Sequence, residues 1–76
     1  MNNKVATIDS ILSENKLSAE VYPEGIGVCV EISWGDWKHD HLRCDYILKQ
    51  SGFLKVAEQV TEENGSDCYS SIHLYV

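Results

Sequence analysis

The feature that most restricts the fold of this chain is a run in which apolar residues alternate strictly with small or polar ones. The apolar members of this run are Ile26, Val28, Val30, Ile32 and Trp34. Successive side chains of a β-strand point to opposite faces of a sheet, so the run predicts a strand with one buried face. The end of the chain alternates in the same way, with Cys68, Ser70, Ile72, Leu74 and Val76 on one face and Tyr69, Ser71, His73 and Tyr75 on the other. We therefore expect a sheet whose Val and Ile face is buried.

Two other segments have helical spacing. The first covers about residues 4–15 and carries an apolar stripe of Val5, Ile8, Ile11 and Leu12. The second covers about residues 37–51, with Trp37, His41, Cys44 and Leu48 on one side. Asp36 is a suitable N-cap for this helix, because its carboxylate can accept from the free amides of the first turn. Gly52 can adopt the positive φ that ends it.

Two further strands complete the predicted elements. Ala19 and Val21 lead to a turn at residues 23–25, and Leu54, Val56 and Val60 mark a strand in which Glu58 breaks the alternation and suggests a bulge. Asn64-Gly65 suits a type I′ hairpin turn.

The resulting order is α-β-β-α-β-β, and Asp-x-Ile-Leu recurs at residues 9–12 and 45–48. We expect a single α+β domain over residues 1–76. It would be a two-layer sandwich in which both helices cover one face of a four-stranded antiparallel sheet. This is the topology of a ferredoxin-like sandwich with its chain start moved.

The charge balance is acidic, with 6 Lys and Arg against 12 Asp and Glu and a net charge of −6. No cluster of basic residues is present, which argues against direct nucleic-acid binding. One alternative function follows from the acidity: an inhibitor or nucleic-acid mimic of a mobile element, with carboxylates aligned along one edge. Those carboxylates would be Glu20, Glu24, Glu31, Glu62, Glu63 and Asp67.

The expected location is the cytoplasm. Residues 1–4 lead directly into an amphipathic segment without a secretory signal, and no run approaches the ~20 apolar residues of a membrane span. The 3 cysteines, at positions 29, 44 and 68, are odd in number and widely spaced, which is typical of reduced thiols.

Potential chemistry is concentrated between Trp34 and Cys44. His41 and Cys44 share one helical face, and zinc would accept them together with Cys68 and His73. However, structural zinc sites usually have two tight ligand pairs, and a thiol in mid-helix facing a core lacks substrate access. Cys29 is expected to be more exposed, but the neighbouring Glu31 would raise its pKa. We therefore predict no catalytic, cofactor or metal site, and retain thiol or metal chemistry at His41 and Cys44 as an alternative.

Two surfaces are candidates for contact with a protein partner, which could be a second copy of the chain. The first, the open sheet face, presents Tyr22, Tyr69, His73 and Tyr75. The second, the helix strip, presents His39, Leu42 and Tyr46. Tyrosine is enriched at interfaces, although cross-strand aromatic pairs can also simply stabilise a sheet. Trp34 and Trp37 either close one end of the core or anchor a partner. The leading hypothesis is a small, soluble, non-enzymatic protein-binding module.

Overall fold

The computed structural model describes residues 3–33, 35–62 and 68–75, with the backbone alone for residues 61, 62 and 68. Its elements in chain order are α1 (Asn3–Glu14), β1 (Glu20–Glu24), β2 (Gly27–Ile32), α2 (Trp37–Gln50), β3 (Leu54–Glu62) and β4 (Cys68–Tyr75). The predicted α+β class and the predicted order of elements are therefore confirmed. The Asn64-Gly65 turn and Trp34 lie outside the described residues.

The four strands form one antiparallel sheet in the order β1-β2-β4-β3. β1 and β2 pair as one hairpin, and β3 pairs with β4. The two halves meet where Val28 pairs with Leu74 and Val30 with Ile72, in the centre of the sheet. β1 is thus an edge strand, a position in which a proline such as Pro23 is tolerated.

Both helices pack on the sheet face that carries the Val and Ile side chains, as predicted. The buried core consists of Ile8, Leu12, Leu17, Val28, Val30, Ile32, Cys44, Leu48, Ile72 and Leu74. It draws on α1, on α2 and on the two central strands, and Trp37 is half-buried against it. The apolar alternation therefore identified the buried face of both central strands correctly.

Both helices end in the same hydrogen-bonded motif. At the end of α2, Gly52 has a φ of 92° and the amide of Phe53 donates to the carbonyl of Leu48 at 3.0 Å. At the end of α1, Lys16 has a φ of 59° and the amide of Leu17 donates to the carbonyl of Leu12 at 2.9 Å. These are Schellman-type ends, in which a left-handed residue reverses the chain. The assignment of Gly52 as the helix stop is confirmed.

The role predicted for Asp36 is wrong in one respect. Asp36 does precede α2, but its side chain makes no capping hydrogen bond, and only its carbonyl accepts from Asp40, at 2.9 Å. Its ψ of 58° lies outside the extended conformation that turns an N-cap side chain towards the first-turn amides.

The strand predictions need two further corrections. Ile26 is 74% exposed, because it lies in the turn before the first residue of β2, where no strand neighbour covers it. In β3 the apolar residues Leu54, Val56 and Val60 are all exposed. A register shift between Lys55 and Ala57 confirms the suggested bulge. Among the described residues, no helix is long and apolar enough to cross a bilayer.

Candidate functional site

The centre of the open sheet face is a row of side chains that runs across the strands. Tyr22 pairs with Cys29, Cys29 pairs with His73, and His73 pairs with Ala57. Cys29 is 0% exposed even though its face of the sheet is not the one covered by the helices. The expectation of a more exposed Cys29 was therefore wrong, because strand pairing places it between two larger side chains.

Hydrogen bonds join the polar side chains around this row. The Tyr22 hydroxyl donates to Glu31 Oε2 at 2.9 Å. On the opposite side of Cys29, His73 Nδ1 lies 2.5 Å from Glu24 Oε1, and His73 Nε2 lies 3.2 Å from the hydroxyl of Ser71. The open sheet face thus carries a connected polar cluster in place of separate, solvated side chains.

The electrostatics of the cluster keep Cys29 and Tyr22 protonated at neutral pH. Burial, together with the charges of Glu24 and Glu31, raises the pKa of the Cys29 thiol despite its hydrogen bond with Tyr22. The hydrogen bonds of Tyr22 with Cys29 and Glu31 raise the pKa of its phenol well above the ordinary value. The thiol is consequently a poor nucleophile on its own.

The predicted tyrosines differ in how far they are available for contact. Tyr69 is half-buried, and Tyr22 is held by its hydrogen bond to Glu31. Tyr75 is 55% exposed and pairs directly across the strands with Leu54, which is 63% exposed. This Leu54–Tyr75 pair makes one end of the open sheet face apolar.

The helix strip lies on the outer side of α2, as predicted. Leu42 is 70% and Tyr46 64% exposed, and with His39 and the stem of Arg43 they line a shallow groove. The Arg43 guanidinium donates to the carbonyl of Asn15 at 3.1 Å, which ties this part of α2 to the end of α1. The groove is mostly apolar, and the guanidinium of Arg43, which lines it, is already bonded within the chain.

The metal and thiol alternative at His41 and Cys44 does not fit the fold. Both side chains lie on the buried side of α2, facing the sheet, whereas His73 lies on the opposite face of the sheet, so these ligands do not converge. The side chain of Cys68 lies outside the described residues. Burial raises the pKa of Cys44 to about 12, which leaves it without appreciable thiolate.

His41 has a structural partner that the sequence did not indicate. Its Nε2 lies 2.8 Å from Glu58 Oε2, and Lys55 Nζ lies 3.1 Å from carboxylate oxygens of both Glu58 and Asp45. His41 and Asp45 are four positions apart on α2, and each contacts a residue of β3.

Half of the proposed acidic edge can be placed. Glu20 and Glu31 are direct cross-strand partners on the open sheet face, which also carries Glu24. The side chains of Glu62, Glu63 and Asp67 lie outside the described residues. Two of the three placed carboxylates already accept hydrogen bonds within the chain.

The cluster of Glu24, Cys29 and His73 is the grouping that sequence reasoning missed. The alternation along the two central strands predicted that Cys29 and His73 lie on the open face. Glu24, however, was expected to lie in a turn. In the structure Pro23 pairs with Val28 in the β1–β2 hairpin, which puts Glu24 on the same face as Cys29. A prediction of this hairpin register would have identified the cluster. No protein-family model matches the chain, and no curated protein or solved structure is significantly similar to it.

Proposed function

We propose that this chain is a non-enzymatic protein-binding module that pairs with a second copy of itself across the open sheet face. The observation that carries the proposal is the Leu54–Tyr75 pair. Its two large side chains lie side by side and mostly exposed on the face opposite the described helices. In a twofold-symmetric dimer, this patch on one copy would pack against the same patch on the other copy, and both would be buried.

The size of the face sets the expected strength of the contact. Four strands about 4.8 Å apart and about six residues long give a face of roughly 19 by 20 Å. This is below the ~800 Å² that each partner contributes to a standard interface, so the dimer belongs among weak complexes. A twofold dimer buries both residues of both copies, so full burial of the four side chains contributes up to about 12 kcal/mol, against an association cost of at least about 4 kcal/mol. The difference of about 8 kcal/mol corresponds to a dissociation constant in the micromolar range.

The polar cluster supports pairing between identical copies. Tyr22 donates a hydrogen bond to the carboxylate of Glu31, and His73 contacts the carboxylate of Glu24. The polar groups at the centre of the face are therefore bonded to one another. A second copy would meet a face on which Tyr22, Glu24, Glu31 and His73 already have partners, and this lowers the desolvation cost of those groups.

The proposal extends to architecture and location. The strand order β1-β2-β4-β3 supports a ferredoxin-like sandwich whose chain start has been moved. Cys29 and Cys44 are free thiols. Their presence supports a reducing compartment such as the cytoplasm.

Sedimentation equilibrium from low to high micromolar protein concentration tests the proposal, with matched variants on the two candidate surfaces. Leu54→Ser and Tyr75→Ala should each raise the dissociation constant at least about tenfold, the effect of about 1.4 kcal/mol. Leu42→Ser and Tyr46→Ala, which remove similar side chains from the helix strip, should leave it unchanged.

Two results would contradict the proposal. If the wild-type chain is strictly monomeric at high micromolar concentration, the chain does not self-associate as proposed. If only the helix-strip variants dissociate the dimer, the interface lies on α2 and not on the open sheet face. Circular dichroism of each variant establishes that the fold is retained.

A further inference from the structure

We propose that Glu24, Cys29 and His73 form a zinc site on the open sheet face, with three protein ligands and one position left for water. One oxygen, one sulfur and one nitrogen atom of these residues all lie within 4.8 Å of one another. Tetrahedral zinc with ordinary bond lengths places such ligand atoms about 3.3–3.6 Å apart. Cys29 Sγ therefore needs to approach the other two atoms by no more than about 1.2 Å, and His73 Nδ1 and Glu24 Oε1, now 2.5 Å apart, need to separate by about 0.8 Å.

The strand pairing makes this approach easy. Cys29 and His73 are direct partners on the two central strands, so their backbones are fixed relative to each other. Glu24 lies on the neighbouring edge strand opposite Gly27, which has no side chain to fill the space between Glu24 and β4. The Glu24 side chain is 49% exposed and can rotate to complete the set.

His73 also has the second contact that a metal-bound imidazole usually makes. Its Nε2 lies 3.2 Å from Ser71 Oγ, while its Nδ1 faces Glu24. With Nε2 protonated and donating to Ser71, the Nδ1 lone pair is free to bind the metal. Zinc would then occupy the place of the proton that Nδ1 and the carboxylate share.

The ligand chemistry selects the metal. A thiolate, an imidazole and a carboxylate suit a borderline cation such as Zn²⁺, whereas Mg²⁺ and Ca²⁺ require oxygen ligands. The thiolate of Cys29 and the carboxylate of Glu24 together balance the charge of a divalent ion. Cys29 loses its thiol proton on binding, so its burial as a neutral thiol in the metal-free chain is compatible with the site.

The proposed site is separate from the ligands suggested by the sequence alone. His41 and Cys44 are buried on the sheet-facing side of α2, across the sheet from the proposed ligands. This separation provides a matched control, because Cys44→Ala removes a buried thiol without touching the proposed ligands.

The experiment uses the full chain, stripped with a chelator and titrated with Zn²⁺ in native mass spectrometry and with Co²⁺ in absorption spectroscopy. One Zn²⁺ should bind per chain, and Co²⁺ should produce a thiolate-to-metal charge-transfer band. Cys29→Ser should abolish that band. Ser71→Ala should weaken binding about 10- to 100-fold by removing the contact that orients His73. His73→Gln and Glu24→Gln should weaken binding by at least as much, and Glu24 is exposed enough for its variant to fold normally.

Three outcomes would contradict the proposed zinc site. They are a wild-type chain that binds no Zn²⁺, wild-type affinity in Glu24→Gln, or a charge-transfer band that persists in Cys29→Ser and disappears in Cys44→Ala. Thermal unfolding followed by circular dichroism shows whether each variant is folded, and Glu24→Gln decides the question even if Cys29→Ser does not fold.

Discussion

His41 on α2 and Glu58 on β3 are joined by a 2.8 Å contact between Nε2 and Oε2 that links the helix layer to an edge strand. His41 is buried, whereas the Glu58 side chain remains 44% exposed. The carboxylate thus supplies a hydrogen-bond partner to a polar ring at the border of the core. Nδ1 of the same ring has no partner among the described residues, so the contact with Glu58 is the interaction that compensates for burying His41.

Removing this partner should destabilise the fold. In Glu58→Ala, His41 Nε2 remains buried and loses its hydrogen bond, so we expect the free energy of unfolding to fall by about 1–3 kcal/mol. Glu58→Gln keeps an acceptor oxygen and should lose less. Urea unfolding of the three proteins measures the difference. Equal stability of wild type and Glu58→Ala would show that the contact contributes nothing.

The same carboxylate should make stability depend on pH in the acid range. Hydrogen bonds from His41 and Lys55 lower the pKa of Glu58 below its ordinary value of 4.5. The unfolded chain therefore takes up the proton first as the pH falls. The stabilisation is complete above about pH 4.5 and is lost as the pH decreases through the folded pKa. The stability advantage of wild type over Glu58→Gln should accordingly shrink between about pH 7 and about pH 3. An advantage that grows on acidification would contradict this sign.

Core and surface positions should respond very differently to truncation. Ile72→Ala removes a side chain that is fully buried between sheet and helices, and should cost about 2–5 kcal/mol. Leu42→Ala on the exposed helix strip should change stability by no more than about 0.5 kcal/mol. Chemical denaturation of both variants measures the two values. Comparable losses would mean that the helix strip is covered in the folded monomer.

Two glycines should tolerate alanine unequally, for different reasons. A Cβ at Gly27 would lie 2.1 Å from the carbonyl oxygen of Leu74, so the strands would have to separate at the centre of the sheet. We expect Gly27→Ala to cost about 3 kcal/mol. Gly52 has open space around it, and its alanine variant should cost only the ~1–2 kcal/mol of a left-handed alanine. Thermal unfolding ranks the two variants, and the reverse ranking would contradict the register of β2 with β4.

Cys29 and Cys44 should be unreactive in the native state. Both are fully buried, and burial raises the pKa of each thiol. Iodoacetamide at neutral pH should leave both unmodified in the folded chain and should modify both in denaturant. Peptide mass spectrometry after a timed reaction measures this. Rapid modification of Cys44 in the folded chain would restore the hypothesis of thiol chemistry on α2.

The sequence was sufficient to predict the elements and the buried face of the central strands. The alternation around Val30 and Ile72 is a local property, because a period of two fixes which side chains share a face without knowledge of the neighbouring strand. The same reasoning failed in β3, where Leu54 lies on the open sheet face and Val60 on the other face, together with Glu58, which contacts α2. A bulge changes the parity of an edge strand, and its position depends on pairing that the sequence does not display.

What only the tertiary structure decided is which distant residues meet. Glu24 and His73 are 49 positions apart, and they come together because the strand order places β1 and β4 on either side of β2. His41 and Glu58 are 17 positions apart, and they meet because α2 lies over β3. Period and composition determine the faces of each element, since those depend on backbone geometry alone. The sites on those faces depend on strand order and register, which are set by the packing of the whole chain.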